Sequence, residues 1–388
     1  MTRVFFLAER TAFDESKVPS HGSGVHVLGT LRQLQAHFEV ETVFAEPVEQ
    51  QPFAHATVRR LVPSRIRGLR QDSLFLLDDR SFLRRAATAA ERFRPDVVYE
   101  RNEWFAFAGA RLARRLGVPH VLEVNGLLHL DMRSFYRSFG EPLGAFGERW
   151  KLRHADAVVT VSGGLGERLV GLGADPARLA VVPNSVAPER ILPEPRPARD
   201  DRPLIVGWVG HLMTWHSLDL LVDSAPAILE QLPETRFRIV GAGAGYPALQ
   251  ERVEELGLAD AFEFPGLVPF EQVAATVAGF DIGVIPAHFD YAFPVKLSEM
   301  GAAGVPVVAP SSRSFDAMLA PGIEYTPFAE GDSADLARAV IELGSDVPAR
   351  AERGRALWSA VRERYSWTAA AVTLAGVVES AIARRRCR

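Results

Sequence analysis

The chain has 388 residues, of which 47% are hydrophobic and 24% are charged, and its formal net charge is −4. This length predicts two domains that each bury a core, and the slightly acidic balance argues against a nucleic-acid-binding protein. The single cysteine, Cys387, excludes a disulfide framework and a cysteine-based metal site, and no apolar run approaches the roughly 20 residues of a membrane helix, so we expect a cytoplasmic protein.

Short apolar runs and helical segments alternate through the first half of the chain. The predicted strands, most of which end in a polar or glycine-rich loop, are 3–8, 39–45, 95–102, 119–126, 157–161 and 179–186. The predicted helices include 78–93, 104–116 and 141–154. Residues 46–72 are rich in proline and arginine and are predicted to be irregular. The alternation indicates a doubly wound parallel sheet.

The first loop contains Gly22, Ser23 and Gly24, ahead of a helical segment that ends near residue 37. Glycines at the start of a helix let backbone N–H groups approach a ligand, so this loop is a candidate phosphate and acceptor loop. Val27 occupies the third-glycine position of the dinucleotide fingerprint, which argues against an NAD site. A tight turn that needs glycine only for its backbone conformation is the alternative.

Four polar residues cluster where two strands of this sheet end. Glu100 and Arg101 lie at the end of one strand, and Glu123 and Asn125 lie at the end of the next. Open α/β sheets bind ligands beyond the carboxyl ends of their strands, so we predict that these residues bind a polyhydroxylated acceptor. His129 follows closely and is a candidate for the reacting centre, although isolated histidines are more often incidental.

Residues 187–202 combine prolines with charged residues and are predicted to be an interdomain linker. A second series of strands and helices begins at about residue 204. Three turns that follow its strands are candidates for holding a nucleotide: Gly210 with His211, Gly241 with Gly243, and Leu267 with Val268. For the turn with Gly241 and Gly243, an ordinary loop between a strand and a helix is the alternative.

The segment 281–309 is predicted to form a strand, a loop, a short helix and another strand. Pro294 suits the first helical position and Gly304 suits the residue after the helix. The free N–H groups and the positive dipole end of this helix should bind an anion. Lys296 adds a charge there, and Glu299, on the same face, can accept hydrogen bonds from hydroxyls. Phosphate and sugar hydroxyls together describe a nucleotide sugar, whereas a simple surface ion pair is the alternative.

The pattern Pro-x-Lys-Leu-x-Glu-Met-x-Ala-Ala-Gly-x-Pro-Val-Val-Ala at 294–309 closely resembles the donor-site segment of the retaining GT-B glycosyltransferases of family 4. The resemblance extends over nearly all of residues 3–376. It implies the GT-B fold, an α/β architecture of two Rossmann-like doubly wound domains that face each other across a deep cleft. The implied parts are an acceptor-side domain at 1–186 completed by a C-terminal helix at 367–388, a linker at 187–202, and a nucleotide-sugar-binding domain at 203–366.

In that family the lysine that matches Lys296 contacts the donor diphosphate, and the glutamate that matches Glu299 contacts the ribose. The resemblance implies further donor-binding residues: Gly210, Gly241, Gly243, Leu267, Val268, Tyr291, Phe293, Pro294, Val295 and Leu297. Tyr291 stands where many members have another glutamate, which reads the donor sugar. His211 and His216 stand where most members have an arginine and a lysine. The pair Trp215-His216 is similar to a subgroup of the family, so His211 joins Lys296 and His129 as a candidate catalytic residue.

The resemblance implies transfer of a sugar, with retention of anomeric configuration, from a UDP- or GDP-linked donor to a hydroxyl of a small polar or glycan acceptor, such as an aminocyclitol. For this reaction we expect front-face substitution without a metal or other cofactor, which would explain why the chain offers no convincing pair of facing carboxylates. The alternatives are a nucleotide-sugar epimerase and a non-catalytic nucleotide-sugar-binding subunit. We expect a monomer or homodimer, and arginine clusters at 59–70 and 384–386 could allow weak contact with an anionic membrane.

Overall fold

The computed structural model describes residues 1–9, 22–44, 54–57, 69–130, 141–287 and 291–387. The chain forms two compact units. Unit 1 contains the first strand together with the described residues of Ser23–Pro183 and Ala370–Arg388, and unit 2 contains Asn184–Ala369. None of the described helices combines the length and the apolar character needed to cross a membrane. Most of the arginine cluster predicted at 59–70 lies outside the described residues.

Unit 1 is built on a seven-stranded parallel sheet with the order β3-β2-β1-β4-β5-β6-β7. Its strands are β1 (Arg3–Ala8), β2 (Glu39–Phe44), β3 (Ala54–Thr57), β4 (Val97–Arg101), β5 (His120–Val124), β6 (Ala157–Thr160) and β7 (Leu179–Val181). Strands β1, β4 and β5 are almost wholly buried, as expected for apolar runs covered by helices on both faces. The predicted doubly wound parallel sheet is therefore confirmed.

Helices flank this sheet and fill its core. They are α1 (Gly22–Gln35), α2 (Leu69–Phe93), α3 (Ala108–Leu116), α4 (Glu141–His154), α5 (Gly163–Gly171) and most of the last helix, α13 (Trp367–Arg386). Phe5, Phe82, Val98 and Leu112 are buried together between the sheet and its helices. Ser162 begins α5 by accepting a hydrogen bond from the backbone N–H of Leu165.

The prediction that residues 46–72 are irregular is wrong in two places. Strand β3 at Ala54–Thr57 pairs in parallel with β2, and α2 begins at Leu69 rather than at residue 78. An edge strand of four residues gains its stability from backbone pairing with β2, so it needs no long apolar run that a sequence would reveal.

Unit 2 is built on a six-stranded parallel sheet with the order β10-β9-β8-β11-β12-β13. Its strands are β8 (Ile205–Val209), β9 (Arg236–Val240), β10 (Phe262–Gly266), β11 (Ile282–Val284), β12 (Val307–Pro310) and β13 (Thr326–Phe328). Its helices are α6 (Leu218–Gln231), α7 (Tyr246–Glu255), α8 (Phe270–Val277), α9 (Val295–Ala302), α10 (Arg313–Met318), α11 (Ser333–Ser345) and α12 (Val347–Arg364). The sequence did not predict α10 and β13, which are only six and three residues long.

The strand order of unit 2 reverses direction at β8, which lies between β9 and β11. In open parallel sheets a ligand binds outside the carboxyl ends of the strands at such a reversal. The segment that follows β8 begins with Gly210, and the segment that follows β11 leads to α9. The topology alone therefore directs attention to Gly210 and to the start of α9.

Candidate active site

Helix α9 is short and sharply bounded. Pro294 precedes it with φ −71° and ψ 114°, so the helix begins at Val295, one residue later than predicted. Gly304 follows the helix with φ +70°, a left-handed conformation that glycine adopts without steric strain. The first amide N–H groups of a helix have no intrahelical acceptors, and they carry the positive end of its dipole. The start of α9 is thus suited to an anion.

Lys296, in the first turn of α9, has a buried ammonium group. Its Nζ lies 3.9 Å from the centroid of the Trp208 ring, and Trp208 is wholly buried in β8. Within the described ranges Nζ has no hydrogen-bond partner. Burial lowers the pKa of Lys296 from 10.5 to about 7, although the charge of Glu299 acts in the opposite direction. A buried cation without a hydrogen-bond acceptor is a candidate partner for an anionic ligand, because an anion would supply the missing acceptor.

Glu299 lies one turn further along α9, and Arg190 approaches it. The Nη1 atom of Arg190 is 3.4 Å from Oε1 of Glu299, and the two side chains are 14% and 13% exposed. Burial raises the pKa of Glu299, whereas the charges of Arg190 and Lys296 oppose that rise. The surface ion pair between Lys296 and Glu299, considered above as the alternative, does not form. Arg190 belongs to a 3-10 turn, Pro188–Arg190, in the predicted linker.

Asn184 forms hydrogen bonds with the segment that precedes α9 and with α9 itself. Its side-chain amide donates to the backbone oxygen of Phe293 at 2.8 Å, and the hydroxyl of Ser298 donates to the backbone oxygen of Asn184 at 3.1 Å. Phe293 is buried and packs against Tyr365, with ring centroids 5.0 Å apart. Tyr291 is also buried, at 7% exposure. The sequence assigned Asn184 to a strand of the first domain, so neither Asn184 nor Arg190 was predicted as a site residue.

The two histidines after β8 differ in their surroundings. His211 is exposed, whereas His216, in the 3-10 turn Thr214–His216, packs edge-on against the Trp208 ring at 5.4 Å. Burial, followed by the charges of Lys296 and His211, lowers the pKa of His216 to about 3. His216 is therefore neutral near pH 7 and does not replace a cation, whereas His211 stays a candidate for contact with a phosphate.

The predicted glycine turns pack against one another. A Cβ on Gly241, which has φ +136°, would lie 1.8 Å from the backbone oxygen of Gly210, and a Cβ on Gly243 would lie 2.2 Å from that of Leu212. A Cβ on Gly210 would lie 3.3 Å from Nζ of Lys296. Loop packing thus accounts for Gly241 and Gly243, whereas Gly210 leaves space beside the lysine. The remaining predicted donor residues lie at or near this region: Leu267, exposed, and Val268 after β10, and Val295 and Leu297 within α9.

In unit 1, Glu123 is the centre of a buried hydrogen-bond network. Its carboxylate accepts hydrogen bonds from the side chains of Tyr99 (2.8 Å), His26 (3.0 Å), Arg101 (3.0 Å) and Asn125 (2.7 Å). Burial alone would raise the pKa of Glu123, but the charges of His26 and Arg101 and the hydrogen bonds hold it well below its ordinary range. Because His26 lies in α1, the network connects that helix to the end of β5.

Helix α1 contains the whole predicted glycine loop. It begins at Gly22, so Gly22, Ser23 and Gly24 form its first turn, and Gly24 is buried. Of the residues in the Glu123 network, the sequence predicted Arg101, Glu123 and Asn125 as acceptor-binding residues, and it did not predict His26 and Tyr99 as site residues.

The structure separates Glu100 from this network. Its carboxylate accepts hydrogen bonds from His120 Nε2 at 2.7 Å and from the backbone N–H of Ala110 at 3.0 Å, and Nζ of Lys151 is 3.7 Å away. Burial opposes ionisation, but Lys151 and His120 together lower the pKa of Glu100. A Cβ on Gly109 would lie 2.5 Å from Oε2, so Glu100 faces α3. These contacts explain the buried position of Glu100 without any role in binding an acceptor substrate.

His129 forms a pair with a carboxylate that the sequence did not reveal. Its Nδ1 lies 2.7 Å from Oε2 of Glu148, which is buried in α4. The amide of Asn102 donates to Oε1 of the same carboxylate at 3.2 Å. The pair fixes the orientation of the imidazole ring. Among the described residues, no group of three or more histidine, cysteine or carboxylate side chains is placed to hold a metal ion.

Comparison with known proteins identifies both halves of the chain. Residues 21–185 match the family model of the glycosyl transferase 4-like domain, and residues 203–346 match that of glycosyl transferases group 1. The fold is similar to that of HepE from Anabaena, whose structure was solved in complex with UDP and glucose, with a TM-score of 0.75, 15% identity and coverage of 98% of this chain and 100% of that one. The chain is a glycosyltransferase of the GT-B type.

Two relatives with different named activities are similar to this GT-B glycosyltransferase. It is 28% identical to the D-inositol 3-phosphate glycosyltransferase of Stackebrandtia nassauensis, over 94% of this chain and 88% of the relative. It is 29% identical to the 2-deoxystreptamine N-acetyl-D-glucosaminyltransferase of Streptomyces fradiae, over 50% of each chain. Lys296 and Glu299 lie within the match to group 1, whereas Arg190 lies between the two matches.

Proposed function

We propose that this glycosyltransferase transfers a hexose from a UDP- or GDP-linked donor to a hydroxyl of a cyclitol, with retention of anomeric configuration. The observation that carries the proposal is the buried ammonium of Lys296, which has no hydrogen-bond partner within the described residues and lies in the first turn of α9. Such a group is matched to a diphosphate, the leaving group of a nucleotide sugar.

In this proposal unit 2 binds the donor. Lys296 and the amide groups at the start of α9 contact the diphosphate, and Glu299 accepts hydrogen bonds from the ribose hydroxyls. His211 contacts a phosphate from the exposed side. Because Tyr291 is buried, we assign recognition of the donor sugar to backbone N–H groups near Phe293, which Asn184 holds in place.

The reaction proceeds on one face of the donor sugar. The bond between C1 and the phosphate oxygen breaks as the acceptor oxygen forms its bond to C1 from the same side. The proton of the acceptor hydroxyl passes to the departing phosphate oxygen, so the diphosphate serves as the base. Lys296 stabilises the negative charge that develops on that oxygen. This scheme needs no catalytic carboxylate, and both Glu100 and Glu123 are buried in unit 1, where Lys151 approaches Glu100 and Arg101 pairs with Glu123.

The acceptor class rests on the two relatives, whose names specify inositol phosphate and 2-deoxystreptamine. Both molecules are cyclohexane rings that carry several hydroxyls. Unit 1 has Arg101 at the end of β4 and Asn125 and His129 after β5, and these side chains can bond to such hydroxyls. We assign acceptor binding to a domain at 1–186 completed by 367–388, and donor binding to one at 203–366.

The test is titration calorimetry with UDP, GDP and their hexose derivatives, followed by mass-spectrometric detection of product with inositol phosphate, inositol and 2-deoxystreptamine. We expect one nucleotide to bind, and a hexosyl product whose anomeric NMR signal matches the configuration of the donor. Absence of nucleotide binding would refute the proposal. Binding without a product would favour a non-catalytic subunit, which the lack of an arginine and a lysine at His211 and His216 also favours.

A further inference from the structure

The ammonium of Lys296 rests on an aromatic ring. Among the described residues no carboxylate oxygen lies within 4 Å of Nζ. Glu299, the acidic residue on the same helix, approaches Arg190 instead. The other charged or titratable groups that act on this region are His216 and His211, both after β8. The contact that holds Nζ is therefore the face of Trp208, at 3.9 Å from the ring centroid.

We propose that Trp208 is a positioning residue of this glycosyltransferase, whose ring holds the ammonium of Lys296 in place for the diphosphate of a nucleotide. The proposal rests on the proposed function, because it assumes that Lys296 binds a diphosphate. Trp208 would not touch the reacting atoms. It would act through Lys296 alone.

An aromatic ring suits this task better than a carboxylate. A carboxylate would neutralise the ammonium, and the diphosphate would then have to displace it. The negative face of the indole attracts the cation but leaves its N–H groups free to bond to phosphate oxygens. The ring thus orients the ammonium and favours its charged form, and the N–H groups of the ammonium remain available to the phosphate oxygens.

The position of the ring is fixed on several sides. Trp208 is 0% exposed and lies in the central strand β8, between β9 and β11. The ring of His216 packs against it, with ring centroids 5.4 Å apart. The backbone of Gly210 also comes close to the indole, since a Cβ added there would lie 3.1 Å from it. A ring held in this way cannot follow a mobile side chain, so it limits where the ammonium rests.

The choice of tryptophan is otherwise unexplained. A buried indole N–H usually has a hydrogen-bond partner, but Nε1 of Trp208 has none in the part of the chain that the structure describes. Phenylalanine would fill an apolar core position without that unpaired N–H. Tryptophan binds cations more strongly than the other aromatic residues, which is the property that Lys296 uses.

The experiment measures the affinity of the full-length protein for UDP and for GDP by calorimetry, from about pH 6 to about pH 9. The variants are Trp208→Leu and Trp208→Phe. The control is Phe237→Leu, which removes another wholly buried ring from the core of unit 2. We expect Trp208→Leu to weaken binding about tenfold and Trp208→Phe about threefold, while Phe237→Leu leaves it within about twofold.

Two further results separate positioning from a structural role. In Trp208→Leu the pH at which affinity begins to fall should be lower, since the ring stabilises the charged form of Lys296. In a Lys296→Met background, Trp208→Leu should cause no further loss. The inference is overturned if Trp208→Leu binds like the parent at every pH, or if its loss persists in the Lys296→Met background. If Trp208→Leu does not fold, Trp208→Phe decides by the same criteria. A parent that binds neither nucleotide would instead refute the proposed function.

Discussion

Removal of the positive charge of Lys296 should make the unliganded protein more stable. The folded state lowers the pKa of Lys296 from 10.5 to about 7, chiefly because its Nζ is buried. Between these two values the unfolded chain binds more protons than the folded one, so stability rises with pH across this window. Below about pH 7 Lys296 is protonated in both the folded and the unfolded chain, and its buried charge then lowers the free energy of unfolding by the full amount.

The pKa values set the size of the effect. A difference of about 3.5, from 10.5 to about 7, corresponds to at most about 5 kcal/mol at about 1.4 kcal/mol for each pKa step. The side chain keeps partial contact with solvent and Trp208 attracts the ammonium, so we expect Lys296→Met to gain about 1–3 kcal/mol. That gain raises the Tm by about 2–4 °C for each kcal/mol.

The assay is thermal and urea unfolding of both proteins without ligand at several pH values. We expect the advantage of Lys296→Met to be largest below about pH 7 and to decline as the pH rises to 10.5, the pKa in the unfolded chain. Saturating nucleotide should raise the Tm of the parent but not that of the variant. A variant less stable than the parent at every pH would refute the reasoning, because Lys296 would then contribute packing rather than an unpaired charge.

Lys151 provides the matched control. It is also buried, but its Nζ donates to the backbone oxygen of Ala106 at 2.7 Å and lies 3.7 Å from Glu100. Lys151→Met would leave the carboxylate of Glu100 with less compensation. We therefore expect this variant to lose about 3–5 kcal/mol.

Four further variants test the other assignments. Glu299→Ala should weaken nucleotide binding about tenfold or more by calorimetry, because hydrogen bonds from the ribose to a carboxylate are lost, and unchanged affinity would refute the ribose assignment. Arg190→Met removes a charge that opposes the raised pKa of Glu299, so nucleotide affinity should fall more steeply as the pH decreases from about 8 to about 6. Asn184→Ala should raise the KM for the donor about fivefold, through loss of the bond to Phe293, and should change kcat less. Glu123→Gln should destabilise unit 1 by about 3–5 kcal/mol in urea unfolding at neutral pH, and the difference should shrink in acid, because the lowered pKa of Glu123 stabilises the fold only while the carboxylate is ionised.

The sequence predicted the segments whose signals are local. Helix α9 was predicted within one residue at its start, because proline and glycine mark its ends chemically. That placed Lys296 and Glu299 on one short helix. Their partners Trp208, Arg190 and Asn184 were not predicted, since each lies about 90 or more residues away along the chain and meets α9 only after folding. No residue pattern within the predicted linker distinguishes Arg190 from the arginines around it.

The polar cluster of unit 1 shows how pairing register decides which residues meet. The sequence grouped Glu100 with Glu123 because both lie near the ends of neighbouring strands. In the sheet Arg101 is the partner of Glu123, so Glu100, one residue earlier, faces the opposite side. A shift of one residue in that pairing would have placed Glu100 beside Glu123. The relative register of two parallel strands depends on the crossover helix between them, and residue composition alone does not determine it.

Two buried lysines show why hydrogen-bond partners, rather than residue type, distinguish a structural lysine from a candidate ligand-binding one. Lys151 and Lys296 both lie in unfavourable surroundings for a charge that is removed from water, and each has an aromatic ring nearby. Backbone oxygens and a carboxylate surround the ammonium of Lys151, so it stabilises the fold and has little left to offer a ligand. The ammonium of Lys296 lies over the face of Trp208 and has no hydrogen-bond partner among the described residues, so an anion that bound there would relieve the desolvation that the ammonium undergoes during folding. An ammonium group in that state is expected to bind a diphosphate more strongly than the same group at the surface, and for this reason the proposed mechanism assigns the diphosphate to Lys296.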